Sequence, residues 1–232
     1  MKKYFAIIAA AGNGTRFCNS NNKMLVPLLG RPLLSYTLDK FEESEKIDEI
    51  ILVVRPQDQK KIKQEIINKN FYSKVKLIIA GGSTRQESVY NGLMAIKEDE
   101  GIVLIHDGAR PFLKEGMIVQ LIDMIGNFVG VIPAVPIVET VKKVILSNMM
   151  SDRTVDRNEF WTVQTPQAFQ LNQIRDCYKK AIKDNILFTD DSSLFEYYGG
   201  KIAIIRGSDE NIKITTKVDL MLAEALIKKC YF

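Results

Sequence analysis

The 232-residue sequence has one histidine, one tryptophan and three cysteines, and each scarcity excludes a class of chemistry. With His106 alone, His-rich zinc sites and paired-histidine catalysis are ruled out, and a Ser-His-Asp triad would have to pass through that residue. Cys18, Cys177 and Cys230 are odd in number and widely spaced. They offer neither a disulfide framework nor a Cys-x-x-Cys metal site, and they predict a reducing, cytoplasmic setting. Long apolar runs are also missing. The longest, near Phe5 to Ala11 and Val129 to Val138, are strand-sized and fall short of the about 18 residues a membrane helix needs. Met1-Lys2-Lys3 ahead of Tyr4 to Ala11 imitates a short signal peptide, but no small-residue cleavage pattern follows, so the segment reads as a buried first strand. Charge of one sign is lacking as well: 32 Lys and Arg against 28 Asp and Glu leave a net +4. That balance is too weak and too evenly spread to argue for nucleic acid, although it permits local anion pockets. Chemistry is left to lysine, arginine, aspartate and backbone amides.

What is present is an ordinary globular composition, 46% hydrophobic and 26% charged, long enough for one domain with an appendage. Strand-sized runs alternate with helical patterns: Tyr4 to Ala10 then Pro32 to Glu43, Glu49 to Val54 then Gln57 to Asn68, Val75 to Ala80 then Thr84 to Lys97, and Ile102 to His106 then Lys114 to Ile125. Such alternation predicts an α/β fold, a mostly parallel sheet covered on both faces, with ligands at the carboxyl ends of the strands. From Val129 to Val163 the pattern changes to a long hairpin, with extended runs at Thr140 to Ile145 and Arg153 to Val163 around a polar break at Ser147 to Asp152. Its apolar residues Val141, Val144, Ile145 and Val155 need cover from the body or from a second copy of the chain, which points to a homodimer through an arm at about 137–160. Helices are then expected at Leu171 to Lys183, Ser192 to Tyr198 and Lys217 to Lys229, with a strand at Lys201 to Ile205.

Three polar loops follow strands and converge on one sheet edge. The first, Ala9-Ala10-Ala11-Gly12-Asn13-Gly14-Thr15-Arg16, has small residues that let a ligand approach and amides that suit an anion nest; an ordinary glycine turn would look the same in isolation. It is not a dinucleotide fingerprint, because Phe17 occupies the third glycine position and Arg55 ends the second strand where a ribose-binding acid would stand. No P-loop motif occurs either. The polar loop from Asn13 to Asn22, which contains Arg16 and ends at Lys23, could fold two cations over a polyphosphate. The second loop, Gly81 to Ser88, brings Gly82, Ser83 and Ser88 to the same edge, and Thr84 with Glu87 also matches a helix capping box. The third, His106-Asp107-Gly108-Ala109-Arg110-Pro111, supplies an acid and a base, where Asp107 could equally be a cap or a salt-bridge partner.

Taken in order, Ala10-Ala11-Gly12-x-Gly14-x-Arg16 with Lys23, Gly81-Gly82-x-x-Arg85-x-x-Ser88-Val89, His106-Asp107-x-Ala109-Arg110-Pro111, Val155-Asp156-Arg157, Thr165-Pro166-Gln167-Ala168-Phe169, Thr189-Asp190-Asp191 and Asn211-Ile212-Lys213 form a set. That ordered set closely resembles the cytidylyltransferases of the methylerythritol phosphate isoprenoid pathway, from Phe5 to about Ala225. The first motif alone is shared by many sugar nucleotidyltransferases. Two positions depart from the family pattern: Lys23 sits between Asn22 and Met24 rather than between Pro and Gln, and Gly108 stands where alanine is usual. Neither departure removes a charged group.

The resemblance implies a three-layer, Rossmann-like nucleotidyltransferase fold with a protruding β-hairpin arm, and transfer of CMP from CTP to 2-C-methyl-D-erythritol 4-phosphate with release of pyrophosphate. The chemistry suits a chain poor in histidine. A phosphate monoester has its second pKa near ~6, so the attacking oxygen is ionised at neutral pH without a general base. By resemblance, Arg16 and Lys23 stabilise the transition state, Arg157 and Lys213 hold the acceptor phosphate, and Thr140 and Thr189 add hydroxyl contacts. Asp107 and Arg110 engage the acceptor's polyol end, Gly108 is a further substrate-binding position, and Ala10, Ala11, Gly12, Gly14, Gly82, Ser83 and Ser88 surround the nucleotide. A swapped arm would carry Arg157 and Thr140 into the neighbour's site. No residue cluster is assigned to a protein-held metal; Mg²⁺ is expected on the CTP phosphates, since this ion relies on substrate oxygens and water. Taken singly, Arg157 and Thr140 could merely decorate the arm, and Lys213 could be a solvated strand-end lysine. Ribitol 5-phosphate is the alternative acceptor. A nicotinamide oxidoreductase is disfavoured by Phe17 and Arg55, and an RNA-binding module by the want of a basic face with stacking aromatics.

Overall fold

A computed structural model describes residues 2–12 and 22–230 of the chain. Its strands are β1 (Tyr4–Ala10), β2 (Pro27–Leu28), β3 (Arg31–Pro32), β4 (Glu49–Val54), β5 (Val75–Ala80), β6 (Ile102–Asp107), β7 (Gly130–Pro136), β8 (Lys142–Ile145), β9 (Met150–Thr154), β10 (Trp161–Val163), β11 (Gln167–Gln170) and β12 (Ile202–Arg206). The helices are α1 (Leu33–Glu42), α2 (Gln59–Ile62), α3 (Asn68–Asn70), α4 (Arg85–Ala95), α5 (Glu115–Met124), α6 (Leu171–Asp184), α7 (Asp191–Tyr197) and α8 (Lys217–Cys230). The first strands and helices fall where the alternating pattern predicts them. The helix expected between β4 and β5 is interrupted by a π-helical stretch at Lys63–Ile67 and ends at Phe71 in the left-handed region.

Eight strands form one sheet. β5, β4, β1 and β6 lie side by side and parallel; β11 runs antiparallel between β6 and β7, and β12 is parallel to β7. The strand β11 is absent from the sequence reading because Gln167 and Gln170 at its ends give it a polar look. In the fold Gln167 is buried, its amide donating to Asp190 Oδ2 at 2.8 Å and its carbonyl accepting from the Ser192 N–H at 2.9 Å, so the desolvated amide is satisfied on both sides.

Strand alternation sorts the core into two layers. Ala6, Ile8 and Ala10 of β1, with Leu52 and Val54 of β4 and Leu104 of β6, face α1 and α5. Phe5 and Ile7, Val53 and Ile105 face α4, α6 and α7. A side chain at Gly92 of α4 would meet methyls of Ile7 and Val53 at 3.0 Å, so that glycine sets the close approach of helix to sheet. The result is the expected three-layer arrangement. A smaller cluster, Leu28, Leu33, Ile214, Ala223 and Ile227, docks α8 and with it the segment that carries Lys213.

The segment between β7 and β10 is built differently from the single long hairpin expected. β8 and β9 pair only with each other. Asp156 then accepts from the Asn158 N–H and caps a short 3-10 turn at Arg157–Glu159, which interrupts the second extended run. β10 returns to the main sheet against β7. Every residue of β8 and β9 is exposed, and Leu146 (82%), Met149 (75%) and Val138 (70%) leave large apolar surface in solvent. No helix among the described residues is long and apolar enough to cross a membrane.

The same alternation puts the side chains of His106 and Asp107 on opposite faces of β6. His106 is fully buried, its ring 5.1 Å from Phe41. Its Nε2 contacts the Arg110 carbonyl at 3.0 Å and its Nδ1 the Thr165 hydroxyl at 3.1 Å. A carbonyl only accepts, so the proton is on Nε2, and Nδ1 accepts from Thr165. Burial pushes the His106 pKa from 6.5 down to about 4. Between those values the unfolded chain binds a proton that the folded one refuses, so stability is fully present above 6.5 and is lost as pH falls toward 4. His106 alone is expected to cost about 2 kcal/mol between pH 7 and pH 5. Urea midpoints at the two pH values should therefore diverge more in the wild type than in His106→Gln; equal divergence would remove His106 from the account.

Candidate active site

Two adjoining cavities open at the carboxyl ends of β1, β5 and β6. The larger, about 560 Å³, is lined by Ala11, Gly12, Lys23, Gly82, Ser83, Ser88, Asp107 and Lys213 among the predicted residues. The second, about 340 Å³, is lined by Asp107, Arg110, Thr189 and Lys213, together with Gln164, Thr165 and Asp190. Arg85, Asp107 and Lys213 belong to both, so the shared wall is where two bound molecules would meet.

The glycine loop after β5 is shaped by close packing. A Cβ at Gly81 would sit 2.3 Å from the Ala11 Cβ and 2.8 Å from the Ser88 Oγ, so the two loops can touch only because glycine stands there. Ser88 Oγ accepts from the Gly82 N–H at 3.1 Å and donates to the Thr84 carbonyl at 2.8 Å. Its proton is thereby committed, and one lone pair is left for a ligand donor. Thr84 caps α4 by accepting from the Glu87 N–H, the first half of the predicted capping box. The Glu87 carboxylate turns to the Ser83 N–H and hydroxyl, both at 2.7 Å.

Asp107 ends β6 and collects the cations. Lys213 Nζ lies 2.6 Å from its Oδ2, Arg85 Nε 3.1 Å from its Oδ1, and Arg110 Nε 4.0 Å from its Oδ2. Burial by itself would raise the carboxyl pKa; the Arg85 and Lys213 charges outweigh it and hold Asp107 far below the usual carboxylate range. The Asp107 N–H donates to the Thr165 hydroxyl at 3.1 Å, and Arg110 Nη1 donates to the Asn211 carbonyl at 2.6 Å. Lys23 is buried, and its ammonium donates to the Ile214 carbonyl at 2.7 Å. The lysine of the first loop is thus tied to the residue next to Lys213.

The other predicted residues lie elsewhere. Ala10 turns its side chain into the core while Ala9 and Ala11 line the cavity. Gly108 lines neither cavity: its N–H donates to the Ala9 carbonyl and its own carbonyl accepts from Thr37 Oγ1, both at 3.0 Å. A Cβ there would meet Ala10, Met24 and the Ala9 carbonyl at 3.1–3.4 Å. Thr140 and Arg157 are on the arm and line neither cavity; Arg157 donates to the Val138 carbonyl. Gly14 and Arg16 lie outside the described residues.

Sequence reasoning left out Arg85, Thr165, Gln164 and Asp190, all of which line the cavities. Arg85 carried a signal. A cation at the first position of a helix opposes the helix dipole, so its place there calls for a reason other than helix stability.

Comparisons with known proteins agree with the geometry. The sequence model of the IspD family, 2-C-methyl-D-erythritol 4-phosphate cytidylyltransferase, matches residues 4–229. The 2-C-methyl-D-erythritol 4-phosphate cytidylyltransferase of Clostridium acetobutylicum is 44% identical over 224 residues, 97% of each chain. That of Clostridium novyi is 43% identical over 228 residues, 98% of each chain. The crystal structure of 4-diphosphocytidyl-2C-methyl-D-erythritol synthase from Anaerococcus prevotii has a TM-score of 0.86 at 34% identity, covering 98% of this chain and 96% of that one. With its motifs, its fold and nearly its full length matched, the chain belongs to the 2-C-methyl-D-erythritol 4-phosphate cytidylyltransferase family.

Proposed function

We infer that the family's reaction, transfer of CMP from CTP to 2-C-methyl-D-erythritol 4-phosphate, takes place in this chain where the two cavities join. The observation that carries this placement is the shared wall of Asp107, Lys213 and Arg85, with Lys23 beside it. CTP occupies the larger cavity, its base against the small-residue loops at Ala11, Gly12, Gly82 and Ser83, and its phosphates toward Lys23. The acceptor occupies the second, its polyol near Asp107, Arg110 and Thr189 and its phosphate toward Lys213.

An acceptor phosphate oxygen attacks the α-phosphorus in line; the new P–O bond forms as the bond to the β-phosphate breaks, and the electron pair leaves with pyrophosphate. No proton need be removed, because the acceptor phosphate is already ionised. The work is positioning and charge stabilisation. Lys23, with Arg16, offsets the charge gathering on the α-phosphate and leaving group. Lys213 must exchange its Asp107 partner for the acceptor phosphate, which frees one Asp107 oxygen for an acceptor hydroxyl. Among the described residues there is no group of three or more potential metal-ligating side chains, and Asp107 is the only carboxylate lining the larger cavity. This donor set fits Mg²⁺ carried by triphosphate oxygens, where it would neutralise part of the charge that departs as pyrophosphate.

The exposed apolar residues of the arm are covered by a second copy of the chain in a homodimer, and Arg157 and Thr140 complete the partner's acceptor cavity. Their position away from both cavities of their own chain supports that reading.

Pyrophosphate release with CTP and Mg²⁺ tests the reaction. Turnover is expected with methylerythritol 4-phosphate in preference to ribitol 5-phosphate, the acceptor the family match does not favour, and silence with both would end the reading. Lys23→Ala should lower kcat on the order of 10²-fold or more with the fold intact by circular dichroism. Lys213→Ala should lower kcat/KM for the acceptor about 10- to 100-fold; unchanged acceptor kinetics would remove Lys213 from the phosphate clamp. Mixing Lys23→Ala with Arg157→Ala subunits tests the shared site. A mixed dimer keeps one complete site, so equal mixing and exchange should restore about a quarter of wild-type activity. No recovery from subunits that do exchange would place Arg157 in its own chain's site, and full activity of Arg157→Ala alone would place it in none.

A further inference from the structure

Arg85 is a residue for which the reaction as derived has no task. It is the first residue of α4 and lines both cavities. Its guanidinium forms a fork with Asp191, Nη1 to Oδ1 at 2.9 Å and Nη2 to Oδ2 at 2.7 Å, while its Nε donates to Asp107 Oδ1 at 3.1 Å. Asp191 is fully buried at the first position of α7, directly after Thr189 and Asp190 of the acceptor cavity, and takes a further hydrogen bond of 2.5 Å from the Tyr178 hydroxyl of α6. One planar group therefore joins the start of α4, the end of β6 and the start of α7.

Such a bridge needs arginine. Lysine's point charge cannot hold a bidentate fork and a third, divergent bond at once. Stability alone is a poor account of it: the Arg85 side chain stays 28% exposed while its partner Asp191 is fully buried, and an ion pair on a buried carboxylate can often be replaced by apolar residues without loss. The partner exchange of Lys213 supplies a better one. When Lys213 leaves Asp107, the carboxylate loses its nearest cation, and Arg110 Nε is 4.0 Å away; the Arg85 bond is what remains to hold it.

We propose that Arg85 is a positioning residue for the acceptor half of the reaction, holding Asp107 in place while Lys213 turns to the acceptor phosphate and fixing the Thr189–Asp190 wall through Asp191. This rests on the placement of the two substrates given above. Arg85 acts through Asp107 and Asp191, and Tyr178 stiffens the bridge from behind without lining either cavity.

Steady-state kinetics with CTP and methylerythritol 4-phosphate on Arg85→Lys and Tyr178→Phe, each checked for folding by thermal melting, test it. Arg85→Lys is expected to lower kcat/KM for the acceptor about 10- to 100-fold while the KM for CTP stays within about threefold. Tyr178→Phe should lose less, in the same direction and on the same substrate. A role confined to fold stability would lower the melting temperature and leave that split unmoved. Acceptor kinetics unchanged in folded variants, or equal losses for both substrates, would overturn the proposal. If Arg85→Lys does not fold, Tyr178→Phe decides by the same criterion. A silent wild type would remove the substrate placement and this proposal together, whereas an active wild type with unaltered variants would remove this proposal alone.

Discussion

The Asp107 carboxylate is the constraint on which the rest of the site depends. A charge at the end of a buried strand is costly unless it is paired and hydrogen-bonded. The fold meets that demand with cations from three separate parts of the chain: Arg85 from α4, Lys213 from the segment before α8, and Arg110 from the loop after β6. None is near another in sequence except through the sheet. The same requirement that stabilises Asp107 gathers positive charge at the strand ends, and a polyphosphate reaction needs positive charge there. Folding and function call for the same arrangement, which is why a chain with a net charge of only +4 can present so basic a pocket.

Which cations arrive is decided by the pleat. Because successive side chains of β6 point to opposite faces, His106 joins Phe41 on the α1 side and Asp107 meets Arg85 on the α4 side. A slip of one residue would bury the carboxylate against Phe41 and turn the imidazole to the cavity. The register of β6 against β1, with Asp107 opposite Ala9, is therefore part of the active site. The backbone beyond is held by His106 in its neutral form: Thr165 accepts from the Asp107 N–H and donates to His106, and His106 donates to the Arg110 carbonyl. Lys213 is positioned by apolar packing instead, since Ile214 beside it is buried against Leu28, Leu33 and α8.

Much of this was legible in the residues. The alternation of strands and helices specifies the parallel body, the small-residue loops mark the cavity edge, and Lys23, Asp107 and Lys213 stand out by their place in the motifs. The missing pieces share a physical cause: their roles arise from contacts distant in sequence. β11 is four residues long with glutamine at both ends, and only the desolvation of Gln167 between Asp190 and Ser192 shows it to be interior. Ala10 and Gly108 sit in the right motifs, yet the pleat turns one inward and a pair of backbone hydrogen bonds occupies the other. Arg85 stood in a quoted motif without a task because its partners lie 22 and 106 residues away. The second extended run reads as longer than it is because a single aspartate, Asp156, caps a turn inside it.

The arm and the cavity make opposite demands on the chain. The cavity is held by ion pairs on the buried carboxylates Asp107 and Asp191, whereas β8 and β9 pair only with each other and leave Leu146, Met149 and Met150 in solvent. A two-stranded ribbon is marginal on its own, and apolar residues clustered at its tip cost free energy wherever water covers them. Arg157 stands just beyond that ribbon, in the 3-10 turn after β9, and donates to the Val138 carbonyl. In the proposed homodimer a second subunit that buries the tip would supply the apolar cover and receive Arg157 at its own acceptor cavity, so that each cavity would be complete only in the assembled protein.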